Sequence, residues 1–180
     1  MPSRETIIIA ARSIASGYKG VQPDGTFPSW ETLKNIYDRA MAIPPDWAIQ
    51  SGANLKALKA GRWMRKDGRP GGTNEAKPGV SWCGIFATHV LIASGVPVKW
   101  HAFTGIAPLP PYLEKLTGFG NWNKIAPGDI CVRGENQHHF IIYRRSGNLL
   151  YSYDGNLDGQ SIGERTTNVN EVHSIYRPLF

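Results

Sequence analysis

Apolar residues recur at helical spacing early in the chain and at strand-like spacing late in it, so helices are expected first and strands afterwards. Ile7, Ile8, Ala11 and Ile14 make one stripe, with Ser3 placed as an N-cap and Gly17 as a stop. After a Gly/Pro-rich turn from Gly20 to Pro28, Ser29 caps a second predicted helix bearing Trp30, Leu33, Ile36, Tyr37 and Ala40 on one stripe, ended by Pro44-Pro45. A third helical stretch is expected around Asp46 to Ala60, interrupted by Gly52. Stripes of this kind are the packing faces of core helices.

Lys66 to Val80 read as an irregular loop, and directly after it SWCGIFATHVLIASG, Ser81 to Gly95, reads as a buried helix. A loop containing Pro108, Pro110 and Pro111 leads to a short helical piece expected around Tyr112 to Leu116. The pattern then changes. GDICVR (Gly128 to Arg133), HHFIIYRR (His138 to Arg145) and NLLYSYD (Asn148 to Asp154) read as consecutive strands, the last two joined by a turn at Ser146-Gly147. Two more short strands are expected near Ser161 to Thr166 and Val172 to Arg177. Helices followed by an antiparallel meander give the fold class α+β. The chain is expected to form one domain over 1–180, with a helical part over 1–65, a loop over 66–80, and a helix plus antiparallel sheet over 81–180.

Composition changes this picture little. The 180 residues are 41% hydrophobic and 19% charged, which suits a packed globular chain and argues against disorder. Twenty Gly and thirteen Pro forecast many ordered loops. No apolar run reaches the length of a membrane-spanning helix, and Ile7 to Ala11 is too short for a signal peptide. Synthesis in the cytoplasm without membrane insertion is therefore expected. Net charge is +6, which predicts attraction to a polyanion such as nucleic acid, anionic lipid or bacterial wall. The basic residues form neither a helix stripe nor an aromatic-interleaved strand motif, so nucleic acid is not the expected partner.

Cys83 carries the chemistry. It falls on the first turn of a predicted helix, where the macrodipole and the first-turn N–H groups favour a thiolate and can receive an oxyanion. The alternative is a small buried core residue, which is how Cys131 reads. A cysteine nucleophile needs a basic partner, and His89, His101, His138, His139 and His173 are the candidates. His89 lies six residues along the same helix, about 9 Å up its axis, and is excluded as the base. His138 and His139 are strand neighbours whose side chains point to opposite faces, so only one is expected to look at the helix carrying Cys83, and the two cannot converge on one metal ion. Asp154 and Asn156, spaced i, i+2, can supply an acceptor that orients an imidazole, although Asp154-Gly155-Asn156 is also a strong turn sequence.

Four pieces in order, Trp82-Cys83-Gly84-Ile85-Phe86, Gly128-Asp129-Ile130, His139-Phe140-Ile141-Ile142 and Asp154-Gly155-Asn156, resemble the papain-like peptidoglycan amidases of the CHAP and NlpC/P60 groups. The resemblance covers about residues 81–156. It implies a papain-like fold, with N-terminal helices packed on a small antiparallel sheet and the nucleophile at a helix N-terminus. By position it implies Cys83 as nucleophile, His139 as base, Asp154 as orienting acceptor and Asn156 as an auxiliary polar group. His138, standing where the family has a small residue, is the alternative base. Asn74 and Gln50 are candidates for a second oxyanion donor.

The implied activity is a cysteine amidase or endopeptidase on peptidoglycan stem peptides, needing no metal and no organic cofactor. A compact amidase of this kind resembles antibacterial effectors delivered by type VI secretion, with phage lysins as the alternative. An effector would act as a monomer in the periplasm or cell wall of a target bacterium and be held by a cognate immunity protein in its producer. Two other readings stay open: a papain-like cysteine hydrolase or acyltransferase acting on a protein or lipid, and a non-catalytic wall-binding module.

Overall fold

The computed structural model describes residues 1–20, 28–42, 45–46, 64–65, 82–101, 104–134, 138–157 and 161–180. Among the described residues, three α-helices and an antiparallel six-stranded sheet, with two small strand pairs, make it an α+β protein.

Helix α1, Arg4–Gly17, opens on a capping box in which the Ser3 hydroxyl accepts from Thr6 N–H and the Thr6 side chain returns a bond to Ser3 N–H. Helix α2, Trp30–Ala40, buries Leu33, Ile36, Tyr37 and Ala40. Ser29 is its N-cap by position, but the Ser29 hydroxyl accepts from Lys19 N–H at 2.8 Å, tying the two segments together instead of capping. Helix α3, Cys83–Ala93, is buried without a break from Cys83 to Leu91. A helix apolar all round has no solvent face to keep, and α3 lies against α1, α2 and the sheet.

The short pairs are β1 (Pro45–Asp46) with β2 (Met64–Arg65), and β3 (Lys99–His101) with β4 (Gly105–Ala107). The large sheet contains β5 (Leu113–Thr117), β6 (Ile130–Arg133), β7 (His138–Ser146), β8 (Leu149–Leu157), β9 (Ser161–Asn168) and β10 (Val172–Pro178), in the order β5-β10-β6-β7-β8-β9. Every neighbouring pair is antiparallel. Strand alternation divides the core. Ile130, Val132, Ile141 and Tyr153 face the helices, while Cys131, Phe140, Ile142 and Leu150 face a smaller cluster with Val172 and Ile175.

Two expectations change. The helical piece expected around Tyr112 to Leu116 falls instead on the edge strand Leu113–Thr117, paired with β10, because the pairing partner overrides a weak local pattern. Asp46, expected to begin a helix, pairs with Met64, so the part over 1–65 is not helical throughout. The hairpin β3–β4 carries no alternation long enough to announce it. The rest of the helix expected around Asp46 to Ala60, the loop over 66–80, the side chain of Trp30, and Gln50 and Asn74 lie outside the described residues.

Buried Asp129 fastens the start of the chain to its end. Its Oδ1 accepts from Arg4 Nη1 at 2.7 Å, and its Oδ2 accepts from Ala126 N–H at 2.9 Å and from Arg177 Nη2 at 3.4 Å. Among the described residues no helix is long and apolar enough to cross a membrane.

Candidate active site

Cys83 is the first residue of α3, 3% exposed, and stands where the first-turn N–H groups point out of the helix. Opposite it, β7 begins with His138 and His139. Burial pushes the Cys83 thiol up, but hydrogen bonds from the His138 and His139 side chains, the charge of His139 and a backbone bond from His139 outweigh it and bring the thiol down to about 5. That value is characteristic of activated cysteines, whereas Cys131, fully buried on the other face, is pushed well above its ordinary value by desolvation. Neither cysteine forms a disulfide.

The two histidines differ in their partners. His138 Nε2 lies 2.8 Å from Asp154 Oδ2. A carboxylate only accepts, so Nε2 carries the proton there and Nδ1 is the nitrogen left to exchange a proton with the thiol. Burial works against charge on His138, but the bonds to Asp154 and Cys83 raise it to about 9. His139 is 1% exposed, and apart from the Cys83 thiol its ring nitrogens meet no hydrogen-bond partner among the described residues. Its ring stands edge-on to Trp100 at 5.1 Å and stacks on Tyr176 at 6.1 Å.

The sequence expectation joined Asp154 to His139; the structure joins Asp154 to His138. Phe140 pairs with Asp154, so alternation puts His138, Phe140 and Asp154 on one side of the sheet and His139, Ile141 and Tyr153 on the other. His138 is the first residue of its strand, at the sheet's end, and there its ring meets the thiol as well as the carboxylate. Cys83, His138 and Asp154 are therefore brought together. His139 flanks the thiol, and no carboxylate among the described residues bonds its ring.

Asn156 lies two residues beyond Asp154, with φ at 60°, where β8 shifts register against β9. Left-handed backbone is tolerated by Asn better than by most side chains, and the bend ends straight pairing there. Gly155 is pressed against α3: a Cβ there would stand 2.6 Å from Phe86 Cβ. Gly84, next to Cys83, is likewise covered by the Trp100 ring. Trp100 thus packs on both Gly84 and His139.

His89 is buried in the far half of α3, and burial, with help from Arg39, brings it down to about 4. Among the described residues no group of three or more His, Cys, Asp or Glu side chains is placed to hold a metal ion. Comparisons with protein-family models, with curated proteins and with solved structures find no match to this chain. What can be said of its chemistry therefore rests on this geometry: a thiol of low pKa, an imidazole with one nitrogen anchored, and a buried carboxylate as the anchor.

Proposed function

We propose that the protein is a cysteine amidase or endopeptidase, with Cys83 as nucleophile, His138 as general base and acid, and Asp154 as the acceptor that orients His138. The single observation that carries this reading is the chain of contacts Cys83–His138–Asp154 at the N-terminus of a buried helix. The same placement, a helix N-terminus against an antiparallel sheet, supports a papain-like fold. Base function passes from His139 to His138 because, among the described residues, His138 alone has a carboxylate partner to fix its ring and tautomer.

The resting pair is thiolate and imidazolium, which the low thiol and raised imidazole favour at neutral pH. The thiolate attacks an amide carbonyl, forming the C–S bond, and the oxyanion is received by first-turn N–H groups of α3. His138 Nδ1–H protonates the departing amine as the C–N bond breaks, leaving a thioester. Neutral His138 then takes a proton from water, whose oxygen attacks the thioester. The acid leaves and the thiolate–imidazolium pair returns.

For the substrate we propose the stem peptides of peptidoglycan. Support comes from the order of the four motif pieces and from a net charge of +6, suited to an anionic wall. An antibacterial role after delivery into a target cell, with an immunity protein in the producer, belongs to the same proposal. The test is an acid quench of the protein mixed with purified stem-peptide muropeptides, followed by intact mass and peptide mapping. An acyl adduct on Cys83 of the wild type, absent from Cys83→Ser, is the expected result. No adduct together with no turnover would overturn the reading.

A further inference from the structure

Asp154 uses both carboxylate oxygens. Oδ2 meets His138 Nε2 at 2.8 Å, and Oδ1 accepts the hydroxyl of Ser152. Ser152 and Asp154 stand two residues apart on β8, on the same side of the sheet, and both are fully buried. The terminal torsion of an aspartate is broad, so a carboxylate held at one oxygen alone can turn. Held at both, it cannot. A buried hydroxyl also has reason to keep its acceptor, since an unmade bond there costs about 1–3 kcal/mol.

We propose that Ser152 is a positioning residue of this site, fixing the Asp154 carboxylate so that Oδ2 stays on His138 and the His138 ring stays turned to Cys83. This rests on the Cys83–His138 reading above. The Ser152 hydroxyl is bonded to Asp154 and acts through it. The titratable groups gathered there are Cys83 from α3, Tyr37 from α2, His138 and His139 from β7, and Asp154 from β8, with Tyr176 of β10 stacked on His139. Without the Ser152 hydroxyl the carboxylate is released, the imidazolium loses its fixed counter-charge, and the thiolate in turn loses support from the imidazolium.

The experiment is the pH dependence of Cys83 alkylation by iodoacetamide, located by peptide mapping, in the wild type, Ser152→Ala and Ser152→Thr, with melting curves showing that each variant is folded. It needs no substrate. In the wild type, reactivity sets in on an acid limb near 5, the value at which the thiol ionises. Ser152→Ala moves that limb upward by about one pH unit or more, while Ser152→Thr, which keeps the hydroxyl, stays near the wild type. Superimposed profiles for the wild type and Ser152→Ala would overturn the role of Ser152. So would equal shifts in both variants, which would trace to packing. A wild-type profile like that of an ordinary thiol would instead overturn the Cys83–His138 reading itself, and the two failures are thereby told apart.

Discussion

Phe140 stands opposite Asp154 across β7 and β8, and this pairing decides which of two adjacent histidines the carboxylate meets. From the hairpin turn the strands pair as Ser146 with Leu149, Arg145 with Leu150 and Arg144 with Tyr151. Ile142 then pairs with Ser152, so Tyr143 is an extra residue on its strand. Uninterrupted pairing would have set Asp154 opposite Ile141, on the side of His139. A slip of one residue moves it to the side of His138. Tyr143 is held in the bulge by its hydroxyl, which donates to Glu164 at 2.7 Å, and by its ring against Tyr153 at 4.8 Å.

The two histidines should therefore separate in activity. Replacing His138 by Ala removes the proton carrier and lowers turnover by about 10²–10⁴-fold. His139→Phe keeps a ring between Trp100 and Tyr176 and retains the backbone N–H, so its loss falls well below that range. Parallel rates of muropeptide hydrolysis by the two variants check this, and the reverse order of damage would restore His139 as the base.

The general architecture was legible because strong patterns report it: the Ile7–Ile14 stripe, the apolar run after Cys83, and the alternating segments of β6 to β8. The candidate site was legible in part for the same reason, since Cys83 opens a helix and Asp154 lies in a strand that the pattern marks. The choice between His138 and His139 was not. It depends on the bulge at Tyr143, and nothing in the local pattern of HHFIIYRR announces an unpaired residue. Ser152 escaped notice because a serine within an alternating strand reads as one more polar position. The edge strand Leu113–Thr117 read as helix because only its first residue is buried, so it carries little alternation.

The pH profile follows from the directions of the two shifts. Cys83, lowered to about 5, is a thiolate above that value, and His138, raised to about 9, is an imidazolium below it. The reactive pair fills the window between them, so kcat/KM is expected to rise on an acid limb near 5 and fall on a basic limb near 9. Because the two titrations are coupled, both limbs belong to the pair. Steady-state rates across that range check it, and a profile rising only above pH 8 would indicate an ordinary thiol.

His89 makes stability depend on pH in the opposite part of the range. It falls from an ordinary 6.5 to about 4 on folding, so between those values the unfolded chain takes up its proton more readily than the folded one. Stability contributed by neutral His89 is present above 6.5 and lost as pH falls towards 4. His89→Gln should flatten that part of the curve. Urea midpoints measured at several pH values test it, and an unchanged slope would show that other groups set the acid limit.

Two substitutions should separate folding from chemistry. Asp129→Ala removes the buried carboxylate that Arg4 and Arg177 share, leaving them the carbonyls of Pro127, Pro178 and Lys124, and is expected to cost about 1–3 kcal/mol, with the thiol profile of the folded protein unchanged. Gly155→Ala forces a Cβ against Phe86 on α3 and costs about 1–3 kcal/mol. Lying beside Asp154, it is expected to disturb the thiol profile as well. Thermal melts and iodoacetamide profiles of the two variants make the comparison.

The most direct measurement is mass analysis of the fragments released from purified sacculi of several wall chemistries by the wild type, Cys83→Ala and His138→Ala. The account predicts new peptide fragments with the wild type alone, whose masses name the amide bond that is cut. Equal release by Cys83→Ala, or no release from any sacculus by the wild type, would contradict it.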